Sequence, residues 1–150
     1  METQANIGNV ETPIDVLNLK RRLASMESNN GIFSYLYFVL PDDAVYTGTD
    51  KLGRFYIDFI GTITEVQASV KTAPTGASII CDINKNGSTI WSTQANRVTI
   101  AAGASTGIQA TFDDASLAVG DYLTIDLDQV GSTVAGAKLV VRVKIERAQS

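Results

Sequence analysis

The sequence contains no histidine, one cysteine and three prolines in 150 residues. Without histidine, Ser-His-Asp and Cys-His arrangements and His-containing zinc sites are excluded. With Cys81 as the single thiol, an intrachain disulfide and a thiolate cluster are excluded too, and Cys81 is expected to fill core space. No stretch approaches 18 uninterrupted apolar residues, and Met1 to Val10 has neither a basic nor an apolar leader region. The expected product is therefore made in the cytoplasm and leaves it only within a larger assembly or by lysis. Positive charge is not in excess either. Twelve Lys and Arg against 16 Asp and Glu give a net charge of −4 without any block of like charges, so neither nucleic acid nor an anionic membrane is an expected partner.

What is present is a globular composition, 45% hydrophobic and 19% charged, in a chain long enough for one ordinary domain. Only one segment carries helix signals. Thr12 is a good N-cap, Pro13 suits the first helical position, Asp15 favours the positive end of the dipole, and Asn29-Asn30-Gly31 supplies the stop. The predicted helix ends near Glu27. Val16, Leu19, Leu23 and Met26 fall 3, 4 and 3 apart, the spacing of a coiled-coil seam and hence of an oligomerisation surface. Arg22 and Glu27 occupy flanking positions from which they can pair between chains. Two heptads cannot hold subunits together alone. The other reading of the stripe, supported by Ile14 and Leu17 lying off the seam, is that it packs on the protein's own β domain.

From Gly31 the period changes to 2, and short β-branched or aromatic runs alternate with Gly, Asn, Asp and Pro. Strands are predicted at Phe33 to Val39, Arg54 to Phe59, Ile63 to Lys71, Ala77 to Asn84, Thr89 to Ser92, Arg97 to Ile100, Ile108 to Phe112, Tyr122 to Asp128 and Lys138 to Glu146. Leu123, Ile125 and Leu127 alternate with polar neighbours, as do Leu139, Val141, Val143 and Ile145, so each of these strands has one dry face. The expected fold class is all-β, an antiparallel β-sandwich of jelly-roll type over residues 31–150, preceded by an N-terminal arm and helix over residues 1–30.

No constellation marks a catalytic centre, and an enzyme is not expected. Asp126 and Asp128, Asp42-Asp43 and Asp113-Asp114 are candidate carboxylate pairs, but a glycosidase needs its pair across a cleft; turns and solvated strand faces account for them. Asp82-Ile83-Asn84-Lys85-Asn86-Gly87 resembles the opening of a calcium loop, yet its twelfth position is Thr93 and no helices flank it. Asn86-Gly87 reads instead as a tight hairpin turn, with a surface calcium site at Asp82 as the lesser alternative. No metal or cofactor is predicted. Trp91 is open to two roles, core residue or exposed platform for a sugar-like ligand. Tyr35, Tyr37, Tyr46, Tyr56 and Tyr122 are further candidates for a ligand surface.

The runs PTGASIICDINKNGSTIWSTQANRVTIAAG and VGDYLTIDLDQVGSTVAGAKLVVRV resemble a β-sandwich domain of tailed-bacteriophage virion proteins, a resemblance that covers about Arg54 to Arg147. The most distinctive pieces are Pro74-Thr75-Gly76, the Asp82 to Gly87 segment, Gly120-Asp121-Tyr122-Leu123 and Asp128-Gln129-Val130-Gly131-Ser132. The resemblance implies a fibre, tail or head-decoration component, often a trimer, found in the virion and partnered by itself and by a major capsid or other virion protein. With only about thirty residues ahead of the sandwich, a compact cement protein is expected over a fibre. Residues 1 to 11 would then lie extended on a neighbouring subunit. A receptor- or carbohydrate-binding tip is the competing expectation.

Overall fold

The computed structural model describes the backbone of residues 13–29 and 31–149 and the side chains of residues 16–24 and 31–149. The expected arm over residues 1 to 11, the Thr12 cap and the Met26 side chain lie outside the described residues. The chain divides into two compact units, one containing the helix and one the sandwich over Phe33–Ala148. In the first, α1 spans Pro13–Asn29, so proline occupies the first helical position as predicted, where its missing N–H costs no hydrogen bond.

The sandwich holds ten strands among the described residues: β1 (Ile32–Leu40), β2 (Phe55–Tyr56), β3 (Gly61–Ser69), β4 (Ile79–Lys85), β5 (Ser88–Thr89), β6 (Val98–Ile100), β7 (Thr106–Gln109), β8 (Ser116–Leu117), β9 (Tyr122–Gln129) and β10 (Leu139–Arg147). One sheet runs β1-β10-β3-β7, with β8 also on β3. The other runs β2-β9-β4-β5, with β6 also on β4. Setting aside β5 and β8, the strands pair first with last (β1 with β10), second with second-last (β2 with β9), third with sixth (β3 with β7) and fourth with fifth (β4 with β6). This nesting, one long hairpin wrapped around a core, is the jelly roll.

Alternation decides what the core contains. Leu123, Ile125 and Leu127 of β9, and Leu139, Val141, Val143 and Ile145 of β10, are all buried, as their spacing predicts. They meet Ile63, Val66 and Ala68 of β3 and Ile79, Cys81 and Ile83 of β4 in one cluster. Thr124 departs from the pattern, since it lies on the polar face of β9 and is nevertheless buried.

Two bulges re-aim side chains. Lys144 pairs with Glu65 and Ile145 with Ile63, which leaves Thr64 as the extra residue of β3, and its hydroxyl donates to the Lys144 carbonyl. Ile80 pairs with Gln129 and Cys81 with Leu127, which leaves Asp128 as the extra residue of β9, turned toward Arg97.

Where strands are shorter than predicted, a side chain or turn takes the backbone bond. Lys138 sits at φ 57°, so β10 begins one residue later, at Leu139. The Gln109 side-chain oxygen accepts from the amides of Ala110 and Thr111 and ends β7 short of Phe112. Ile57 bonds the turn before β9 in both directions, through Asp121 and Gly120, instead of extending β2 to Phe59. β8 was not predicted, because two residues are too few to show a period.

The Asn86-Gly87 turn is the predicted two-residue hairpin. Lys85 pairs with Ser88, and the two corner residues lie at φ 52° and 87°, the left-handed values that a type I′ turn demands. Asn86 is pinned further by donating to Asp121 (2.7 Å) and accepting from the Tyr122 amide (3.0 Å). The Ala118 amide first, and the Asn86 side chain after it, hold the Asp121 carboxyl below its ordinary range.

Candidate functional site

β1 places an aromatic row on the outside of its sheet. Its buried residues are Leu36, Phe38 and Leu40, and the residues between them, Phe33, Tyr35, Tyr37 and Val39, are exposed, Tyr37 to 55%. The strand IFSYLYFVL is apolar on both faces, so its sequence holds no contrast from which to read the wet side. Two cations of the neighbouring β10 lie over this row. The Lys144 ammonium is 4.3 Å from the Phe33 ring centre, and the Arg142 guanidinium is 5.5 Å from that of Tyr35. Arg142 is also ion-paired with Glu65 of β3 at 2.6 Å.

At the same side of the sandwich, where the two sheets leave a gap, Ser34, Tyr35 and Leu36 of β1 face Phe55 and Tyr56 of β2 and the following Ile57, Asp58 and Phe59. They enclose a groove of about 330 Å³ floored by Ile145. The Arg147 guanidinium covers the Phe59 ring at 4.3 Å. On the second sheet Tyr56 and Tyr122, cross-strand partners, have ring centres 5.7 Å apart, and Arg54 stacks on Tyr122 at 4.4 Å. Tyr46 lies under the Lys51 ammonium. Of the five tyrosines singled out by sequence, Tyr35, Tyr56 and Tyr122 thus meet at or beside one rim, and Tyr37 continues the row along β1.

Trp91 belongs to the core. It is fully buried, its indole N–H donates to the Thr111 carbonyl at 2.8 Å, and it packs against Phe112 at 5.7 Å. The reading of Trp91 as an exposed ligand platform is corrected accordingly. The cause is local: the Trp91 amide bonds the Thr89 hydroxyl and the Asp113 amide bonds the Ile90 carbonyl, which turns Ile90 and Trp91 inward at the end of β5.

The acidic residues of the second sheet are each engaged by neighbours. Asp126 accepts from the Asp50 amide at 2.7 Å and the Asn84 side chain at 2.8 Å, Asp128 pairs with Arg97, and Asp114 pairs with Lys85 at 2.6 Å. Asp113 accepts from the Thr93 amide at 2.8 Å. Asp82, directly across from Asp126, accepts from the Thr89 hydroxyl at 2.6 Å. Among the described residues no group of three or more carboxylate, cysteine or histidine side chains is arranged to hold a metal ion. Cys81 is fully buried, and burial pushes its thiol up to about 12, which leaves it unreactive at neutral pH.

Asp82 gives a pH-dependent prediction. Burial raises its carboxyl above the ordinary 3.8, and the Thr89 hydroxyl opposes this in part. The folded state then holds the proton more tightly than the unfolded one, so wild-type stability falls as pH rises through that window and stays lower above it. Asp82→Asn retains the acceptor for Thr89 and removes the charge. Its urea midpoint relative to wild type should be higher at pH ~7 than at pH ~3.5; an equal difference at both would contradict a raised Asp82.

In α1, Val16, Leu19 and Leu23, the described members of the predicted seam, are exposed, Leu19 to 60% and Leu23 to 56%, and so is Leu17 beside them. No helix among the described residues is long and apolar enough to cross a membrane.

By sequence, the chain matches no protein-family profile and no curated protein. By structure it is similar to a chain of the capsid of Ralstonia phage GP4, with a TM-score of 0.50 and 14% identity over 80% of this chain and 87% of that one. The likeness is one of fold. Two further similar structures are the cyanophage Pam1 capsid asymmetric unit, at TM-score 0.39 and 13% identity over 78% of this chain and 84% of that one, and the carbohydrate-binding module CBM36 in complex with calcium and xylotriose, at 0.40 and 12% over 77% and 99%.

Proposed function

We propose that this protein is a bacteriophage virion structural protein, a capsid cement or decoration protein that self-associates and clamps neighbouring capsid proteins through residues 1 to 11. The observation that carries the reading is the likeness in fold to a phage capsid chain over most of both chains. It is supported by the apolar side chains that α1 leaves exposed and, separately, by those that β1 does, because exposed apolar surface on a small protein marks a place for partners. Its partners are then itself, as a homo-oligomer with the trimer that the sequence resemblance implies, and the major capsid protein; its place is the virion, after synthesis in the host cytoplasm. It acts by attachment, without catalysis, and many weak sites on one particle supply the avidity.

Deleting residues 2 to 11 should abolish co-sedimentation with purified phage heads while the melting temperature of the sandwich stays within a few degrees; full retention on heads would contradict the clamp. Leu19→Asp with Leu23→Asp should lower the solution mass if the α1 seam holds subunits together, and an unchanged mass would assign that task to the sandwich. A receptor- or carbohydrate-binding tip is the second reading, favoured by the aromatic groove between β1 and β2, whose Phe55 and Tyr56 could stack on a ring-shaped ligand.

A further inference from the structure

The edges of the two sheets are treated differently. A free strand edge offers unpaired N–H and C=O groups to any other chain, and proteins guard against this with short edge strands, charges, prolines or covering loops. β7 has four residues and β5 two. β2 also has two, and the segment around Gly48 and Lys51 continues along β9 beside it, through bonds of Gly48 with Leu127 and of Lys51 with Ile125. Among the described residues of the sandwich, β1 is neither short nor broken by a charge or a proline, and no loop of the sandwich pairs along it. It runs nine residues, IFSYLYFVL, without a charge, a glycine or a proline, and among the described residues its one strand neighbour is β10. Its outer face is apolar as well.

We propose that the free edge of β1 pairs antiparallel with the β1 edge of a second copy of this chain, about a two-fold axis at Leu36. Three observations select a second copy as the occupant. Leu36 is the middle residue of Ile32–Leu40, so a two-fold there pairs the strand over its full nine residues, and a shift in either direction loses ladder. In that register Tyr35 faces the partner's Tyr37 and Phe33 faces the partner's Val39 on the outer face, while Leu36 faces its own symmetry mate on the inner one. Aromatic-aromatic and aromatic-β-branched combinations are among the favourable cross-strand pairs, and the requirement of a two-fold interface that each patch complement itself is met. The strand is also uncharged, so two copies approach without like-charge repulsion; Lys144 and Arg142 stand on the neighbouring β10, over Phe33 and Tyr35. The paired edges join two four-stranded paths into one continuous sheet and shield the outer aromatic row of each copy.

This contact does not rest on the capsid reading. It can fail in a protein that decorates heads and hold in one that binds receptors. It is also distinct from a seam along α1, so in a trimer held by the helices it would link one trimer to the next.

The test uses the full chain. Tyr35→Cys and Tyr37→Cys proteins are prepared separately, then mildly oxidised alone and as a mixture; Cys81 is fully buried and does not compete. The pairing predicts a covalent dimer in the mixture, in which position 35 of one copy faces position 37 of the other, and little in either protein alone. Cross-linking within one variant alone, or none in the mixture, overturns it. As an independent readout, Tyr35→Lys with Tyr37→Lys changes only exposed positions, so the fold should persist by circular dichroism while the sedimenting mass falls two-fold. A wild-type chain that sediments as a monomer, or a double variant of unchanged mass, overturns the proposal.

Discussion

Trp91→Ala is expected to destabilise the sandwich by about 4 kcal/mol, a large share of the roughly 5–15 kcal/mol that ordinarily holds a domain folded. The side chain is the largest of those fully buried. Replacing it with a methyl group forfeits the transfer free energy of the indole and opens a cavity against Phe112 and the ends of both sheets. It also strips the Thr111 carbonyl of its donor, which sits 2.8 Å away. For a domain of this length the melting temperature should fall by roughly 15 °C. Trp91→Phe fills most of the volume but restores no donor, and its cost should be about half. Had Trp91 been a surface platform, the alanine variant would melt like wild type and lose only a ligand. Thermal unfolding of the two variants separates the two roles.

Gly107→Ala should cost about 3 kcal/mol, a large loss for a single methyl group. β7 belongs to one sheet and β6 to the other, and at Gly107 their backbones approach so closely that a Cβ would overlap the Thr99 carbonyl. An obstacle of backbone atoms cannot rotate aside as a side chain does. The methyl group is therefore accommodated only by pushing β6 away from β7, at the corner where the chain crosses between sheets. The variant should show a lowered denaturation midpoint with an unchanged slope, and stability within 0.5 kcal/mol of wild type would contradict the close approach.

The parts of this molecule that were legible in its sequence are those where one face is wet. β9 and β10 alternate cleanly, so their buried residues could be named one by one, and the Asn86-Gly87 turn follows from the positive φ that few residue types tolerate. β1 reads as a strand, and Tyr35 and Tyr37 as candidates for a ligand surface, but its wet face cannot be told from its dry one, because Phe33, Tyr35 and Tyr37 are as apolar as the Leu36 and Phe38 they alternate with. Trp91 stayed open between core and platform, since its burial depends on two bonds that follow no period, from the Trp91 amide to the Thr89 hydroxyl and from the Asp113 amide to the Ile90 carbonyl. The carboxylates read as paired by their spacing are tied up by partners remote in sequence, Arg97 for Asp128 and Lys85 for Asp114, which only the topology brings near. The groove was out of reach for the same reason: Ser34 to Leu36 and Phe55 to Phe59 share it only because first and last strands pair. The aromatic row and the groove are the two features on which partner or ligand binding would turn.

Under the proposed function, this jelly roll serves on the head of a phage particle. Immunogold labelling of intact virions with antibody to residues 31–150, viewed by electron microscopy, tests it most directly. The cement reading predicts gold distributed over the capsid at many sites per particle. Gold confined to the tail tip or fibres would contradict it and would move attention to the groove between β1 and β2 as a receptor site.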